Sequence, residues 1–552
     1  MIELSMGRLR SNAQVLAIWN NPIVWKNFKS RMRMQALFYC LLVLIISAFM
    51  TLTIFSGIDR IQEDSVQAAR AGIIPLGIVQ WVILMLSATG RISSGIIHER
   101  VTGTIDYTRL TPMSPMTKVL GYLFGLPVRE YIAFAITLPF MVFLLIVGEI
   151  PLSVILPVYL VFFSSALLYH LIGTVFGLVM KEWRMSVVFT VGIVVLINLV
   201  LPLFSYLGFP FLQYLTIRPV VVEKIFPYLA ENSSWRSTLP DGLISTQVDF
   251  FNWKVSTTFF SLLLQSSLIF TLGLMVYRKW ESFDSHSLSK IYALFFFIGI
   301  QVFCIGTLWP NLVFNENSIF SLALAGDESS IEEFAVVIPL VYCFFTLLCV
   351  FWLLYVITPT HDEYRSGLLR AKKLQQMKAS KLPVFADFAG SLFSAIALAA
   401  CTFAFLLFVQ ATMINSGPLA DIPITSINYF KMPLAAVLII FYYYVSLEYL
   451  ELNKFAILFL CVWVVPILLA IFLGVAFEFE DLTIYIASVS PISLTILSVQ
   501  GMAGDSLRSA DYQLASNAYW IGAGVILMLT AFLGYQLKML KAKTKIKIAQ
   551  PK

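Results

Sequence analysis

The sequence predicts an all-α polytopic membrane protein of about twelve transmembrane helices, arranged as two parallel six-helix repeats. Three observations carry that expectation. Of 552 residues, 59% are hydrophobic and 12% are charged, and the mean hydropathy is +0.85, whereas charged residues make up roughly a quarter of a soluble domain. The apolar residues gather into about twelve runs, each near the ~20 residues an α-helix needs to cross a bilayer. In each group of six runs, a charged loop follows the second and a long polar loop follows the fifth. Inside lipid the backbone must satisfy its own N–H and C=O groups, so each run is expected as a helix.

Taken in order, the runs predict spans at about 36–56, 72–90, 118–148, 152–180, 185–208 and 254–277. The second group follows at about 289–308, 333–358, 386–411, 431–450, 455–477 and 517–538. The connection from Arg278 to Ser289 is short, which sets the halves at 1–280 and 281–552. An even number of spans per half returns the second half to the orientation of the first, so the repeat is parallel.

Charge fixes the expected orientation. The first 21 residues carry no basic stretch followed by a continuous apolar core, so no cleavable signal is expected and the N-terminus is placed in the cytoplasm. Roughly 28 of the 37 Lys and Arg residues then lie on the cytoplasmic side and roughly 8 outside. Eleven or thirteen spans would put the basic tail Lys538 to Lys552 on the wrong side; twelve keep both termini cytoplasmic. The net charge of +6 sits at helix ends, where it meets headgroups, so no nucleic-acid partner is expected. Acidic residues gather on the far side, at Glu316, Asp327, Glu328, Glu332, Glu333, Glu478, Glu480 and Asp481, as a solvated surface.

The six cysteines, Cys40, Cys304, Cys343, Cys349, Cys401 and Cys461, all fall in apolar runs and are expected as packing residues. His170, in the fourth run, is expected as a hydrogen-bonded packing residue. Arg129 and Glu130 are costly at bilayer depth. Gly125 and Pro127 allow a helix break there, which makes the two a boundary ion pair at the start of a shortened third span.

The chain lacks G-x-x-x-x-G-K-[ST], H-E-x-x-H and any Cys/His cluster with metal spacing, so no catalytic, cofactor or metal residues are assigned. Two loops carry the functional expectation. After the second span of each half, Glu99-Arg100-Val101-Thr102-Gly103-Thr104 corresponds to Glu363-Tyr364-Arg365-Ser366-Gly367-Leu368. A second echo, Leu126-Pro127-Val128 and Leu382-Pro383-Val384, precedes the third span in each half. Gly103 suits a helix end and Pro112 a helix start. Before the first span, Asn21 to Arg33 reads as a membrane-surface helix: Pro22 starts it, Ile23, Val24, Phe28 and Met32 face lipid, and Lys26, Lys29 and Arg33 face headgroups beside Trp25.

The stretch Ile97 to Asp106, followed by Leu110-Thr111-Pro112-Met113-Ser114-Pro115 and Lys118-Val119-Leu120-Gly121, resembles the membrane subunits of ABC type-2 exporters. That resemblance implies a permease moving an unidentified substrate, with ATP and Mg bound by a separate ABC ATPase subunit and none by this chain. It implies ATPase docking by Glu99, Arg100, Thr102, Gly103 and Thr104, and by Glu363, Ser366 and Gly367 in the second half. There the T-P-x-S segment is replaced by Arg370-Ala371-Lys372-Lys373, so the two docking sites are expected to be unequal. The polar stretches 208–253 and 477–519 resemble the family's external caps of short returning helices. Asn232-Ser233-Ser234 fits a glycosylation acceptor.

The expected location is the plasma membrane, in a bacterium the cytoplasmic membrane. A pseudo-dimer within one chain and a homodimer both satisfy the resemblance. Two other classes are also weighed. A major-facilitator secondary transporter has twelve spans in parallel halves, but its G-x-x-x-D-R-x-G-R-R motif and long central loop are missing here. A non-transporting scaffold is the other. Scattered Phe, Tyr and Trp select no substrate among lipids, peptides, drugs and glycans.

Overall fold

The computed structural model describes residues 20–61, 65–180, 182–207, 209–230, 247–282, 285–313, 328–373, 383–416, 426–450, 452–477, 480–500 and 509–549. Among them are twelve helices long and apolar enough to cross a membrane. The fold is all-α apart from one two-stranded hairpin among the described residues, and the chain is a multi-pass membrane protein. It divides into two compact units, one of Met1–Ser205, Pro210–Val248 and Lys254–Ser285, the other of Tyr206–Phe209, Asp249–Trp253 and His286–Lys552, and each holds six of the spans.

In the first unit, α1 (Pro22–Arg31) precedes α2 (Met34–Ile61). Asn21 caps α1 by accepting from the Ile23 N–H at 2.9 Å, with Pro22 in the first turn. The second span runs from Ser65 to Val101 as α3 (Ser65–Trp81), a π-helical stretch (Val82–Ser87) and α4 (Ala88–Val101). At 37 residues it is about 55 Å long, well beyond a ~30 Å hydrocarbon core. Helices α5 (Thr104–Leu110) and α6 (Pro115–Gly125) form the loop that follows.

The third span is α7 (Val128–Val147), shorter than the expected 118–148. Pro127, which has no N–H to donate, caps it, and residues 118–125 belong to α6 instead. α8 (Leu152–Val179) and α9 (Trp183–Val195) complete five spans, α9 continuing through a π turn and a 3₁₀ turn to Leu207. Short elements follow: a 3₁₀ turn at Pro210–Leu215, then α10 (Arg218–Lys224) and α11 (Phe226–Ala230). A hairpin of β1 (Gln247–Phe250) and β2 (Trp253–Ser256), of which Asp249–Trp253 belong to the second unit, precedes the sixth span, α12 (Thr257–Glu281). Asn232, Ser233 and Ser234 lie outside the described residues.

The second unit repeats the order. It comprises α13 (Lys290–Leu312), α14 (Glu328–Ile357), the loop helix α15 (His361–Lys373), α16 (Leu392–Ser416), α17 (Ser426–Tyr449), α18 (Leu452–Trp463) and α19 (Val465–Phe477). Two short helices, α20 (Glu480–Ala487) and α21 (Pro491–Gln500), meet at a bend of 116°, which turns the chain back before α22 (Ser509–Ala549). Short helices thus follow the fifth span in both units. Glu316, Asp327, Glu478 and Leu382, and the side chains of Glu328, Glu332, Glu333 and Glu480, lie outside the described residues.

A polar side chain inside a span is costly unless it finds a partner within the protein. His170 lies within hydrogen-bonding distance of the Tyr131 hydroxyl (3.1 Å at Nδ1) and of the Leu84 carbonyl (3.0 Å at Nε2), the latter in the π stretch. All six cysteines are unbridged; Cys304 and Cys343 are buried, while Cys461 is exposed on the outside of its helix.

Candidate functional site

The loop after the second span of the first unit is a braced corner. α4 ends at Thr102, and Gly103 takes the left-handed conformation (φ +73°) that lets the chain turn directly into α5. A Cβ there would meet nothing within 4 Å, so the backbone angle rather than crowding calls for glycine. The Thr102 hydroxyl donates to the His98 carbonyl and lies 3.0 Å from the Thr104 hydroxyl across the turn. Pro112 does not start a helix. Ser114 caps α6 by accepting from the Thr117 N–H at 3.2 Å, and Pro115 fills the first turn.

Glu99, near the end of α4, is buried. Its Oε1 accepts from Lys26 Nζ of α1 at 2.9 Å, and its Oε2 from the Tyr122 hydroxyl of α6 at 2.6 Å. Tyr122 stacks on Trp280 of α12 with ring centroids 5.0 Å apart, and Arg109 lies over the same indole at 5.7 Å. One carboxylate thereby joins the surface helix, the second span and the loop. Arg100 reaches the Leu178 and Met180 carbonyls, closing the C-terminus of α8. Lys118 donates to the Arg109 and Thr111 carbonyls at 2.9 and 3.2 Å, closing the end of α5; burial, reinforced by Arg109, draws its pKa below the ordinary lysine value.

α1 is therefore more than a surface helix. Trp25, Lys29 and Arg33 are exposed as expected, but Ile23 is buried against α6 and does not face lipid. It lies on a groove left by Gly121 and Gly125, where added Cβ atoms would come within 2.8 Å of Ile23 Cβ and 3.0 Å of Val24 Cα. Small residues four apart are what let two helices approach this closely.

The corner braced in this way exposes an apolar edge: Val101, Tyr107 and Leu110 have 74%, 75% and 83% of their surface accessible. Glu99 and Arg100 face inward and hold the shape, while Thr102, Val101, Tyr107 and Leu110 face outward.

In the second unit α15 occupies the corresponding place with different chemistry. Thr360 and Glu363 form a reciprocal cap, the Glu363 side chain accepting from the Thr360 N–H at 2.8 Å and Thr360 Oγ1 from the Glu363 N–H at 3.3 Å. Ser366 donates to the Glu363 carbonyl, and Gly367 is buried. Tyr364 lies under Lys541 of α22 at 5.5 Å, and Lys541 pairs with the buried Glu448 of α17 at 2.5 Å. The outward residues of α15 are mostly charged: Asp362, Arg365, Arg370, Lys372 and Lys373, with Leu369 among them.

Arg129 and Glu130 stand in the first turn of α7, beyond the Pro127 break. Glu130 is fully buried; its Oε1 accepts from Arg129 Nε and Nη2 at 3.1 and 2.7 Å, Arg91 approaches to 3.8 Å, and Arg129 lies over the Tyr39 ring at 4.4 Å.

Fold and site together define a twelve-span, multi-pass helical membrane protein with a braced loop corner after the second span of its first unit. No family model, curated protein or solved structure matches the chain.

Proposed function

We propose that the chain is the permease of an ATP-binding cassette exporter in the plasma membrane, with both termini cytoplasmic. A separate ATPase subunit supplies ATP hydrolysis and its Mg. The supporting observation is the α4–α5–α6 corner, a polar-braced turn at the C-terminal end of a 37-residue span with an apolar edge turned outward. A motor that pushes there moves the second span directly and the sixth through the Tyr122–Trp280 stack. Closing and opening of the ATPase then biases the spans between two states, provided it binds one of them better than the other.

The test is co-purification with an ABC ATPase subunit and ATP hydrolysis in reconstituted vesicles. Leu110→Asp together with Tyr107→Asp, both on exposed positions, is expected to abolish association while leaving thermal stability unchanged. Glu99→Ala and Gly103→Ala are expected to weaken association by loosening the corner. Leu369→Asp in α15 is expected to have a smaller effect, because that face is already charged. Unaltered ATPase recovery with the double Asp variant would refute the docking edge and, with it, the exporter reading.

A further inference from the structure

A cavity of about 230 Å³ opens in the first unit among α3, α7, α8 and α10. It lies along the C-terminal half of α3, before the π-helical stretch and away from the end of the second span that carries the braced corner. Ile73, Gly77 and Trp81 line it from α3 at intervals of four, one helical face, and Ile217, Val221 and Ile225 line it at the same interval on and beside α10.

Besides the Trp81 indole, two polar side chains reach its wall, and each of the two is already occupied. Tyr159 donates to Gln80 Oε1 at 2.8 Å, and Gln80 Nε2 donates to Thr137 Oγ1 at 3.0 Å. The lining contains no Lys, Arg, His, Asp or Glu. Water needs two to four polar partners to settle in such a space, and apolar cavities as small as about 150 Å³ stay dry and take up hydrocarbon.

Gly77 is the second observation. A Cβ there would meet nothing within 4 Å, so no close helix approach requires glycine, although glycine weakens a helix interior. Its missing side chain leaves the space open. Ile78, more than half exposed, forms the rim, so the cavity faces sideways toward the surface a membrane-spanning helix shows to lipid.

We infer that this cavity holds one hydrocarbon chain of a bilayer phospholipid, with the headgroup left outside. The bilayer around a membrane-spanning helix supplies that chain as phospholipid. The inference rests on the membrane-spanning fold alone and stands independently of the exporter reading.

The experiment is native mass spectrometry of the full chain in detergent, titrated with a palmitoyl-oleoyl phosphatidylcholine. Gly77→Phe and the smaller Gly77→Leu fill the space; Gly192→Phe is the control, since a Cβ at Gly192 also meets nothing within 4 Å. The wild type and Gly192→Phe are expected to keep one phospholipid per chain. Both Gly77 variants are expected to keep their melting temperature and weaken that adduct by at least about tenfold. In parallel, a phosphatidylcholine carrying a diazirine in its acyl chain is expected to label the peptide containing Trp81 in wild type only. Undiminished binding or labelling in a folded Gly77 variant, or a palmitic acid adduct in preference to phospholipid, would overturn the assignment.

Discussion

The Tyr122 hydroxyl donates to Glu99 Oε2 at 2.6 Å, on the side of the carboxylate opposite Lys26. Burial first, and then the hydrogen bond to Glu99, raise the Tyr122 pKa above the usual 10.0. As pH rises past 10 the unfolded chain loses this phenol proton while the folded chain keeps it. The stability this group contributes is whole below pH 10 and declines above it, by up to about 1.4 kcal/mol per pH unit. Tyr122→Phe is therefore expected to cost about 1.5–3 kcal/mol at neutral pH, as for a hydrogen bond to a charged acceptor. Its deficit should narrow as pH climbs above 10. Melting temperatures of both proteins in detergent between pH 7 and 11 check this; parallel curves would exclude the bond as their source.

Gly103 holds a conformation that costs other L-residues about 1–2 kcal/mol, and no neighbouring atom opposes a larger side chain. Gly103→Ala should consequently lower stability by that amount. Gly103→Asn should lose less, because asparagine tolerates the left-handed region better. Equal losses for the two, measured by thermal unfolding, would point to sterics instead of backbone angle.

In the second unit the equivalent glycine, Gly367, is an interior residue of α15, and the cap at Thr360 and Glu363 sets where that helix starts. Thr360→Ala is expected to cost about 1 kcal/mol, with faster hydrogen exchange confined to the first turn of α15. Exchange that rises along the entire helix would mean that its packing on α22, and not the cap, determines its stability.

Sequence made the spans legible because hydropathy is a local property. The twelve spans and the break at Pro127 follow from residues near one another in the chain. The surface helix was legible as far as Asn21 and Pro22 dictate its start. Its buried face was not, because Ile23 meets Gly121 some hundred positions away, and a G-x-x-x-G within an eleven-residue loop helix did not stand out among 28 glycines. Glu99 was singled out from its motif, but the inward direction of its side chain depends on Lys26 and Tyr122, which only the fold brings together. Pro112 and Pro115 are equally plausible helix starts by residue type. Ser114 decides for Pro115, since its hydroxyl accepts from the Thr117 N–H. Gln80 and Tyr159 carried no motif at all, and their pairing across 79 positions had no sequence signal.

The seat of α1 on α6 gives the remaining prediction. At Gly121 a Cβ would fall 2.8 Å from Ile23 Cβ and 2.9 Å from Asn21 Oδ1, the atom that caps α1. Neither neighbour is the loose end of a flexible chain, so Gly121→Ala must push α1 outward and disturb its cap, at a cost of about 1–3 kcal/mol typical of overpacking. The displacement also stretches Lys26 away from Glu99, whose remaining partner is then Tyr122. Limited trypsin digestion in detergent should cut at Lys26 and Lys29 faster in Gly121→Ala than in wild type. Ile23→Ala combined with Gly121→Ala should restore part of the protection by returning space to the groove. Protection unchanged in the single variant would show that α1 is held by the membrane surface and not by α6.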